Sequence, residues 1–349
     1  MFGTYCPDDV TILLKDITGQ VEPLPTKERE RLIQSGVHYS EMLPLEYEPS
    51  PEYLNAFRYA LKSYAKLTAD AVQHVSNRIW LEKQGRITLV SLARAGTPIG
   101  ILIKHDLEKR FQIKVPHYTI SIIRGKGIDR NAMDFILRSH TPDSIQFVDG
   151  WTGKGAIQNQ LKKAMEDYSG VEPGLAVLSD PANVAGKAGS KEDFLIASSL
   201  LNSTVSGLLS RTFCRSDIIG PCDYHGAAFY IDLFDHDLTY CFISAIEAEF
   251  QDNVPWRAIE FSKRMGLEEV YEIAEAFKIR DINLIKPGIG EATRVLLRRL
   301  PWKMLVHSLH DEEHLGHLYL LAKEKEVELI EYPLVNYRAC GIIRQLSDV

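Results

Sequence analysis

Two glycine-rich turns carry the residue types that could bind a phosphate group. The first follows the apolar run 144–148 and extends from Asp149 through Thr152, Gly153, Lys154 and Gly155 to Ala156. Such a turn at a helix start presents backbone N–H groups to an anion, and the helix dipole adds to the attraction. A preceding carboxylate can accept hydrogen bonds from sugar hydroxyls. The segment therefore predicts a phosphate site beside Asp149.

The second turn lies within Leu92–Gly100 and carries Arg94. A guanidinium group suits bidentate recognition of phosphate oxygens. Both turns follow apolar strands, and parallel sheets bind ligands at the carboxyl ends of their strands, so we expect the turns at one edge. Two plainer interpretations stay open: an ordinary strand-to-helix turn for the first, and a surface ion pair for Arg94.

Short apolar strands alternate with helices over most of the chain, which predicts parallel βαβ units and the α/β class. Strands are predicted over 87–92, 117–123, 144–148, 175–178 and 227–234. Helices are predicted over 51–81, 99–111, 129–138, 156–168, 193–209 and 255–277, and loops follow the strand 175–178 up to residue 189. The expected organisation is an N-terminal arm (1–50), a core domain (51–235), a helical connector (236–278) and a small α/β domain (279–349).

Composition narrows the classes of protein that fit. The net charge of -7 argues against non-specific coating of nucleic acid, although a local basic patch consists of Arg294, Arg298, Arg299 and Lys303. Five scattered cysteines without a CxxC pair indicate reduced thiols. The chain has no long apolar run and no signal-peptide pattern at its start, so we expect a cytoplasmic protein without membrane contact. No protein-bound metal site is predicted, because the pattern His310–His314 reads as a helix of mixed charge.

The two turns together resemble the phosphate loops of type I phosphoribosyltransferases. The resemblance implies a parallel-sheet, Rossmann-like core, a phosphoribosyl pyrophosphate donor, Mg²⁺ as cofactor and an unknown base or nucleoside-like acceptor. The substrate-binding residues that it implies are Arg94, Ala95, Gly96, Thr97, Asp149, Gly150, Thr152, Gly153, Lys154, Gly155 and Ala156. The family usually has two adjacent acids before the donor loop, and here the second position is Gly150, so only Asp149 is carried over.

Basic residues after the second strand complete the implied catalytic set. Arg124 and Lys126 lie in a loop where the family carries a mobile basic segment, and they could stabilise charge on the pyrophosphate leaving group. With Asp149 they are the catalytic residues that we expect. Asp223 and His225 belong to the glycine-flanked segment 218–227 and could line the acceptor side of the cleft. Cys222 near His225 also suggests a thiol nucleophile, and a buried structural turn is the plainer interpretation.

The C-terminal region resembles the pelota-type RNA-binding module. The matching turn consists of Gly288, Gly290, Glu291, Thr293 and Arg294. The resemblance implies RNA binding, with phosphate at the helix start and a base edge at Glu291. A small appendage for packing or dimerisation is the alternative.

The whole chain resembles a bacterial family linked to tellurium and stress resistance gene clusters, some members of which carry the label StiP, a supposed cysteine protease. We expect a phosphoribosyltransferase that ribosylates an unidentified acceptor. One alternative is a nucleotide-sensing RNA-binding protein with a reduced transferase domain. The other is a cysteine protease, in which Cys214 or Cys222 would be the thiol to test. A homodimer is the commonest expectation for the assembly.

Overall fold

Apolar strands that are buried on both faces form the central sheet. Every residue of Thr88–Leu92 is buried in the computed structural model, which describes residues 2–256 and 264–345. Leu89 belongs to the core on one face, and Val90 and Leu92 belong to the core on the other. Because successive side chains of a strand point to opposite faces, helices must cover both sides of this sheet.

The elements are numbered in chain order within the described residues. The strands are β1 (Thr11–Ile12), β2 (Lys15–Asp16), β3 (Thr88–Leu92), β4 (His117–Ile120), β5 (Ile122–Ile123), β6 (Gly127–Ile128), β7 (Ile145–Val148), β8 (Ala176–Ser179), β9 (Lys187–Ser190), β10 (Gly226–Ala227), β11 (Ile285–Pro287), β12 (Pro301–Val306), β13 (Glu328–Glu331) and β14 (Ala339–Ile343). The helices are α1 (Thr26–Gln34), α2 (Pro51–Lys83), α3 (Gly96–Phe111), α4 (Arg130–Leu137), α5 (Ala156–Met165), α6 (Thr239–Glu247), α7 (Gly266–Ala276), α8 (Ile289–Arg298) and α9 (Glu312–Glu324).

The described strands form two larger sheets. Within residues 2–256, the order β1-β4-β3-β7-β8-β9 gives a sheet in which all neighbours are parallel. Within residues 264–345, the order β11-β14-β12-β13 gives a mixed sheet, with only β12 and β13 parallel. The predicted α/β class with a parallel core is therefore confirmed, and a small α/β domain follows it.

The long helix α2 covers one face of the core sheet. It begins with Pro51 in its first turn and ends before Gln84, which has the left-handed conformation. It packs against α3 and β9. A Cβ at Gly189 of β9 would lie 2.3 Å from the carbonyl oxygen of Ala71, so only glycine permits this close approach. The predicted helix over 51–81 is confirmed.

Three predicted elements differ from the structure. Residues 193–209 form no α-helix but two short 3₁₀ turns, because Leu195, Leu200 and Leu208 are all buried and the segment has no exposed face. The strand predicted over 227–234 ends at Ala227, and a 3₁₀ helix follows at Ile231–His236. The loops predicted between the strand 175–178 and residue 189 contain β9. Residues 257–263 of the predicted helix 255–277 lie outside the described residues.

A buried carboxylate of the first domain (residues 2–256) holds the sheet of the C-terminal domain (residues 264–345) in place. Both oxygens of Asp193 accept hydrogen bonds from the N–H of Ile289, at 3.0 and 3.1 Å. One of them also accepts from the N–H of Arg338 at 2.9 Å. Burial raises the pKa of Asp193 to about 6, and the backbone donors oppose that rise. The first domain therefore supplies the carboxylate at the start of α8.

Candidate functional site

The glycine loop after β7 has the predicted local geometry. Gly155 adopts φ +80° immediately before α5, a conformation that favours glycine. The Thr152 hydroxyl is bonded within the protein, because it donates to Asp180 at 2.6 Å. Asp180 also accepts from the N–H groups of Val184 and Ala185, both at 3.1 Å. Its carboxylate therefore joins the loop to the segment after β8.

The C-terminal domain covers this loop. Lys154 donates to the carbonyl oxygens of Ile282 at 2.5 Å and Ile285 at 3.0 Å. The Tyr337 hydroxyl donates to the carbonyl oxygen of Gly153 at 2.6 Å. The cavity left beside Thr152 measures about 10 Å³, which barely holds one water molecule, whereas small-molecule sites occupy roughly 300–1,000 Å³. Lys154 and Tyr337 therefore bind the predicted phosphate loop to the C-terminal domain, and phosphate binding by this loop stays a prediction.

Asp149 lies at the end of β7 in an environment that disfavours its charge. Its pKa is raised to about 7, mainly by burial and also by the charge of Glu291, while the N–H of Gly150 and the charge of Arg294 oppose the rise. The N–H of Gly150 donates to Asp149 at 2.8 Å. Gly150 stands where the family has a second adjacent acid, and a buried carboxyl whose pKa is raised to about 7 does not fit the Mg²⁺ site that the sequence implied. Within the described part of the chain, no cluster of three or more His, Cys, Asp or Glu side chains could hold a metal ion.

The turn that carries Arg94 is held by the N-terminal arm. Arg94 pairs with Glu46 at 3.2 Å and donates to the carbonyl oxygen of Leu209 at 2.9 Å. Ala95 precedes α3, and a Cβ at Gly96 would lie 2.5 Å from the carbonyl oxygen of Val148. The Thr97 hydroxyl shares a hydrogen bond with Thr119 at 2.8 Å. Of this turn, only Arg94 lines a large cavity.

The predicted mobile basic loop is a β5–β6 hairpin bonded to its neighbours. Arg124 donates to the side-chain oxygen of Asn283 at 2.8 Å. Lys126 pairs with Glu41 at 2.7 Å and donates to the carbonyl oxygen of Cys214 at 2.6 Å. The structure thus brings Lys126 next to a cysteine.

Asp223 and His225 have different surroundings, although only one residue separates them. Asp223 pairs with Lys15 at 2.7 Å, and that ammonium group, with the N–H of Gly220, lowers its pKa. His225 is half-buried, and its Nδ1 lies 2.8 Å from the Ser121 hydroxyl. Its backbone N–H donates to Asp129 at 2.5 Å.

Cys214 and His225 flank an isolated antiparallel bridge that no sequence motif marks. Phe213 and Gly226 exchange both backbone hydrogen bonds, at 2.7 and 2.8 Å. The N–H of Cys214 points away from this pair, to the carbonyl oxygen of Ser40 at 2.8 Å. Cys214 follows Phe213 and His225 precedes Gly226, so the two residues lie on neighbouring segments at the same end of this bridge. Cys222, which is closer to His225 in sequence, is exposed in the turn.

Burial is the main influence on the pKa values of both Cys214 and His225, and nearby charges modify it. Burial raises the pKa of the Cys214 thiol, Lys126 opposes the rise, and Asp129 and Glu41 add to it. Burial lowers the pKa of His225, Asp129 opposes that shift, and Lys126 adds to it. A neutral imidazole beside a thiol is the protonation state that a general base needs before it removes a proton.

The predicted RNA-binding turn faces the first domain. Gly288 adopts φ +96° before α8, and a Cβ at Gly290 would lie 2.7 Å from the Ser199 hydroxyl oxygen. Thr293 is buried and donates back to the carbonyl oxygen of Ile289 at 2.7 Å. Arg294 pairs with Glu291 at 2.8 Å, and both line the large cavity next to Arg94. RNA contact by this turn stays a prediction.

Comparison with known proteins gives two family matches. Residues 3–247 match the family described as tellurite-like stress resistance cysteine protease StiP, and residues 264–345 match the PELOTA RNA binding domain. The cysteine protease StiP of Acinetobacter baylyi is 37% identical over 366 aligned residues, which cover 99% of this chain and 94% of that protein. The resemblances to the StiP-labelled family and to the pelota-type module are confirmed.

Similarity to solved structures is weak. A hypoxanthine-guanine phosphoribosyltransferase from Bacillus anthracis aligns with a TM-score of 0.26 and 17% identity, over 36% of this chain and 75% of that chain. A structure of that enzyme with a HEPES molecule in its active site gives a TM-score of 0.25 and 16% identity, over 35% and 70% of the two chains. TM-scores this low carry no argument about the fold.

The predicted phosphoribosyltransferase activity is wrong. The family description and the full-length relative both name a cysteine protease. The covered loop, with Lys154 bonded to backbone carbonyl groups, gives a physical reason why phosphate-loop motifs misled the prediction. In addition, no described helix is long and apolar enough to cross a membrane.

Proposed function

This chain belongs to the StiP family, and we propose that it hydrolyses peptide bonds with Cys214 as nucleophile and His225 as general base. The observation that carries the proposal is the Phe213–Gly226 bridge, which leaves Cys214 and His225 at the same end of two neighbouring segments. The description of the family and the name of the relative support a cysteine-dependent hydrolase.

Ser121 and Asp129 support the role of His225. With Nδ1 of His225 protonated, the Ser121 oxygen at 2.8 Å accepts its hydrogen and Nε2 is free to take a proton. Asp129 favours the charged imidazole by its negative charge and fixes the backbone by accepting from the His225 N–H. These two residues act as positioning groups.

The reaction then follows the general thiol route. His225 removes the thiol proton, the Cys214 sulfur forms a bond to the peptide carbonyl carbon, and the imidazolium returns the proton to the leaving amine. Water, deprotonated by His225, hydrolyses the acyl-enzyme and restores the thiol. Lys126 carries a positive charge that favours the thiolate, because it opposes the raised pKa of Cys214.

The experiment measures hydrolysis of fluorescein-labelled casein by the full chain and its cysteine variants. We expect Cys214→Ser to lower the rate by at least about 1,000-fold, since removal of a nucleophile ends covalent catalysis. Cys222→Ser is the matched control, because this thiol is three residues from His225 but exposed in the turn. Loss of activity in Cys222→Ser with full activity in Cys214→Ser would refute the assignment.

We propose RNA as a second ligand, bound by the outer face of the C-terminal domain. The family match over residues 264–345 supports an RNA-binding fold. On the outer face, Trp302 is 39% exposed and the Lys303 ammonium group lies 5.3 Å from its ring centroid. An exposed ring beside a cation suits base stacking and phosphate contact.

Fluorescence anisotropy with a labelled single-stranded RNA distinguishes the two faces of this domain. We expect Trp302→Ala to weaken binding by about tenfold, the size of one lost base stack. Arg294→Gln changes the predicted turn and should have little effect, because Arg294 faces the first domain. The reverse pattern would favour the turn, and no binding by the full chain would remove RNA as a ligand.

A further inference from the structure

A large cavity lies where three parts of the chain meet. Its volume is about 660 Å³, within the range of small-molecule sites. The N-terminal arm contributes α1 and residues 44–50, the core contributes Arg94 and Arg211, and the C-terminal domain contributes residues of β11 and α8. The cavity is separate from the Cys214–His225 pair, neither of which lines it.

The described lining of this cavity has a surplus of positive charge. Seven arginine or lysine side chains face four glutamates, which leaves a net charge of +3. Three of the cations pair with a glutamate: Arg94 with Glu46 at 3.2 Å, Arg294 with Glu291 at 2.8 Å, and Arg299 with Glu30 at 2.7 Å. Among the described residues, no carboxylate forms an ion pair with the other four, which are Arg29, Arg211, Lys286 and Arg298.

Three of the lining arginines each have one nitrogen atom without a hydrogen-bond acceptor. Nη1 of Arg298, Nε of Arg29 and Nε of Arg299 are buried without a hydrogen-bond partner among the described residues. Nη2 of Arg298 donates to the carbonyl oxygen of Leu200, and its guanidinium lies 5.5 Å from the Tyr53 ring centroid. A buried charged donor without an acceptor is costly. The cluster therefore has fewer acceptors than it has donors.

The pKa values reflect this crowding of like charges. Burial lowers the pKa of Arg298 to about 10, and the charge of Arg294 adds to the shift. Burial lowers the pKa of Arg211 to about 9, and Arg29 and Arg94 add to the shift. Burial lowers the pKa of Lys286 to about 7, and the charge of Lys154 adds to the shift. A multiply charged anion would relieve the repulsion between these groups.

We propose that this cavity binds a small molecule that carries two or more phosphate groups. Guanidinium forks match phosphate oxygens in pairs, and phosphates supply several negative charges in a small volume. Such a ligand would contact the arm through Arg29, the core through Arg211 and the C-terminal domain through Arg298. It would therefore tie the three parts together and raise the melting temperature of the full chain. The proposal involves binding alone, without transfer chemistry.

Calorimetric titration of the full chain with inorganic tripolyphosphate tests the site. We expect binding that Arg298→Gln or Arg29→Gln weakens by at least about tenfold, since each removes a charged contact. The two variants come from different parts of the chain, so a folding defect in one leaves the other informative. Arg86→Gln is the matched control, because its exposed pair with Asp143 at 3.0 Å lies outside the cavity; it should bind like the wild type.

Further arms of the titration identify the source of the phosphates. Orthophosphate should bind at least about tenfold more weakly than tripolyphosphate, because it makes fewer charged contacts. A nucleoside triphosphate that binds more tightly than tripolyphosphate would indicate a nucleotide, and equal binding would indicate an inorganic polyphosphate; both support the proposal. No binding of either, equal weakening in Arg86→Gln, or binding of RNA alone would overturn it.

Discussion

The glycine loop at Asp149–Ala156 and the pair at Cys214 and His225 contrast in how they relate to the sequence. The loop has a conspicuous motif, yet Lys154 and Tyr337 hold it against the C-terminal domain. The pair has no motif, yet an isolated antiparallel bridge leaves a thiol and an imidazole at the same end of two neighbouring segments. Motifs report local backbone geometry, whereas the availability of a side chain for chemistry depends on what else the fold packs against it.

The sharpest test of the contrast removes the imidazole. We expect His225→Gln to lower casein hydrolysis by about 100-fold or more, in line with the usual contribution of a general base. Ser121→Ala should have a smaller effect, because Ser121 orients Nδ1 and does not take the proton. Initial rates at saturating and limiting substrate separate the two effects. Unchanged activity in His225→Gln would show that His225 is not the general base and that hydrolysis takes place at another site.

The closure of the C-terminal domain over the loop depends on Asp193. We expect Asp193→Ala to destabilise the chain by about 2–4 kcal/mol, because it leaves the buried N–H groups of Ile289 and Arg338 without an acceptor. The midpoint of urea unfolding measures this. Glu192→Ala is the control, since Glu192 is exposed and its nearest contact with Arg338 is 4.0 Å. Equal effects of the two variants would show that the buried bonds are unimportant.

The buried carboxyl of Asp149 predicts a pH-dependent stability. Its pKa of about 7 in the folded chain exceeds the unfolded value, so the unfolded chain ionises first as the pH rises from about 4 to 7 and folding loses stability. Asp149→Asn removes that penalty and should raise stability at pH 8 on the order of 1–3 kcal/mol, with little change at pH 4. Melting curves at the two pH values measure the difference. A destabilised variant at pH 8 would indicate that the charged form is needed.

The smallest expected effect concerns the contact between Tyr337 and the loop. Tyr337→Phe removes one hydrogen bond, to the carbonyl oxygen of Gly153, and should cost about 1 kcal/mol. Amide hydrogen exchange should become faster at Thr152 and Lys154. Tyr271→Phe, at an exposed position of α7, provides the control. Unchanged exchange in Tyr337→Phe would weaken the case that this contact closes the loop.

The sequence predicted the elements that a local pattern of apolar residues marks. The apolar runs of β3 and β7, and the long helix α2, follow from local periodicity and burial. The helix predicted over 193–209 was wrong because the leucines of this segment are buried on several sides. That burial comes from packing against distant segments. The proximity of Cys214 and His225 depends on one residue pair, Phe213 and Gly226, whose backbones exchange two hydrogen bonds. No periodicity marks so short a contact.

The grouping of positive charges around the cavity could not be predicted from the sequence either. Arg298 and Arg299 were visible as a basic patch, but their meeting with Arg29 and Arg211 requires the arm, the core and the C-terminal domain to assemble. Arg94 was selected from its turn, and the structure adds Glu46 as its partner. Long-range assembly, and not residue type, decides which charges remain without a partner.

Site-directed alkylation tests the central claim most directly. In a variant in which the exposed Cys6, Cys222 and Cys241 are replaced by serine, Cys214 is the half-buried thiol that remains, and Cys340 is buried. This variant should hydrolyse casein like the wild type. Treatment with iodoacetamide should abolish hydrolysis in step with modification of Cys214, followed by peptide mass spectrometry. Hydrolysis that persists after complete modification of Cys214, or that is already lost in the untreated variant, would contradict the assignment.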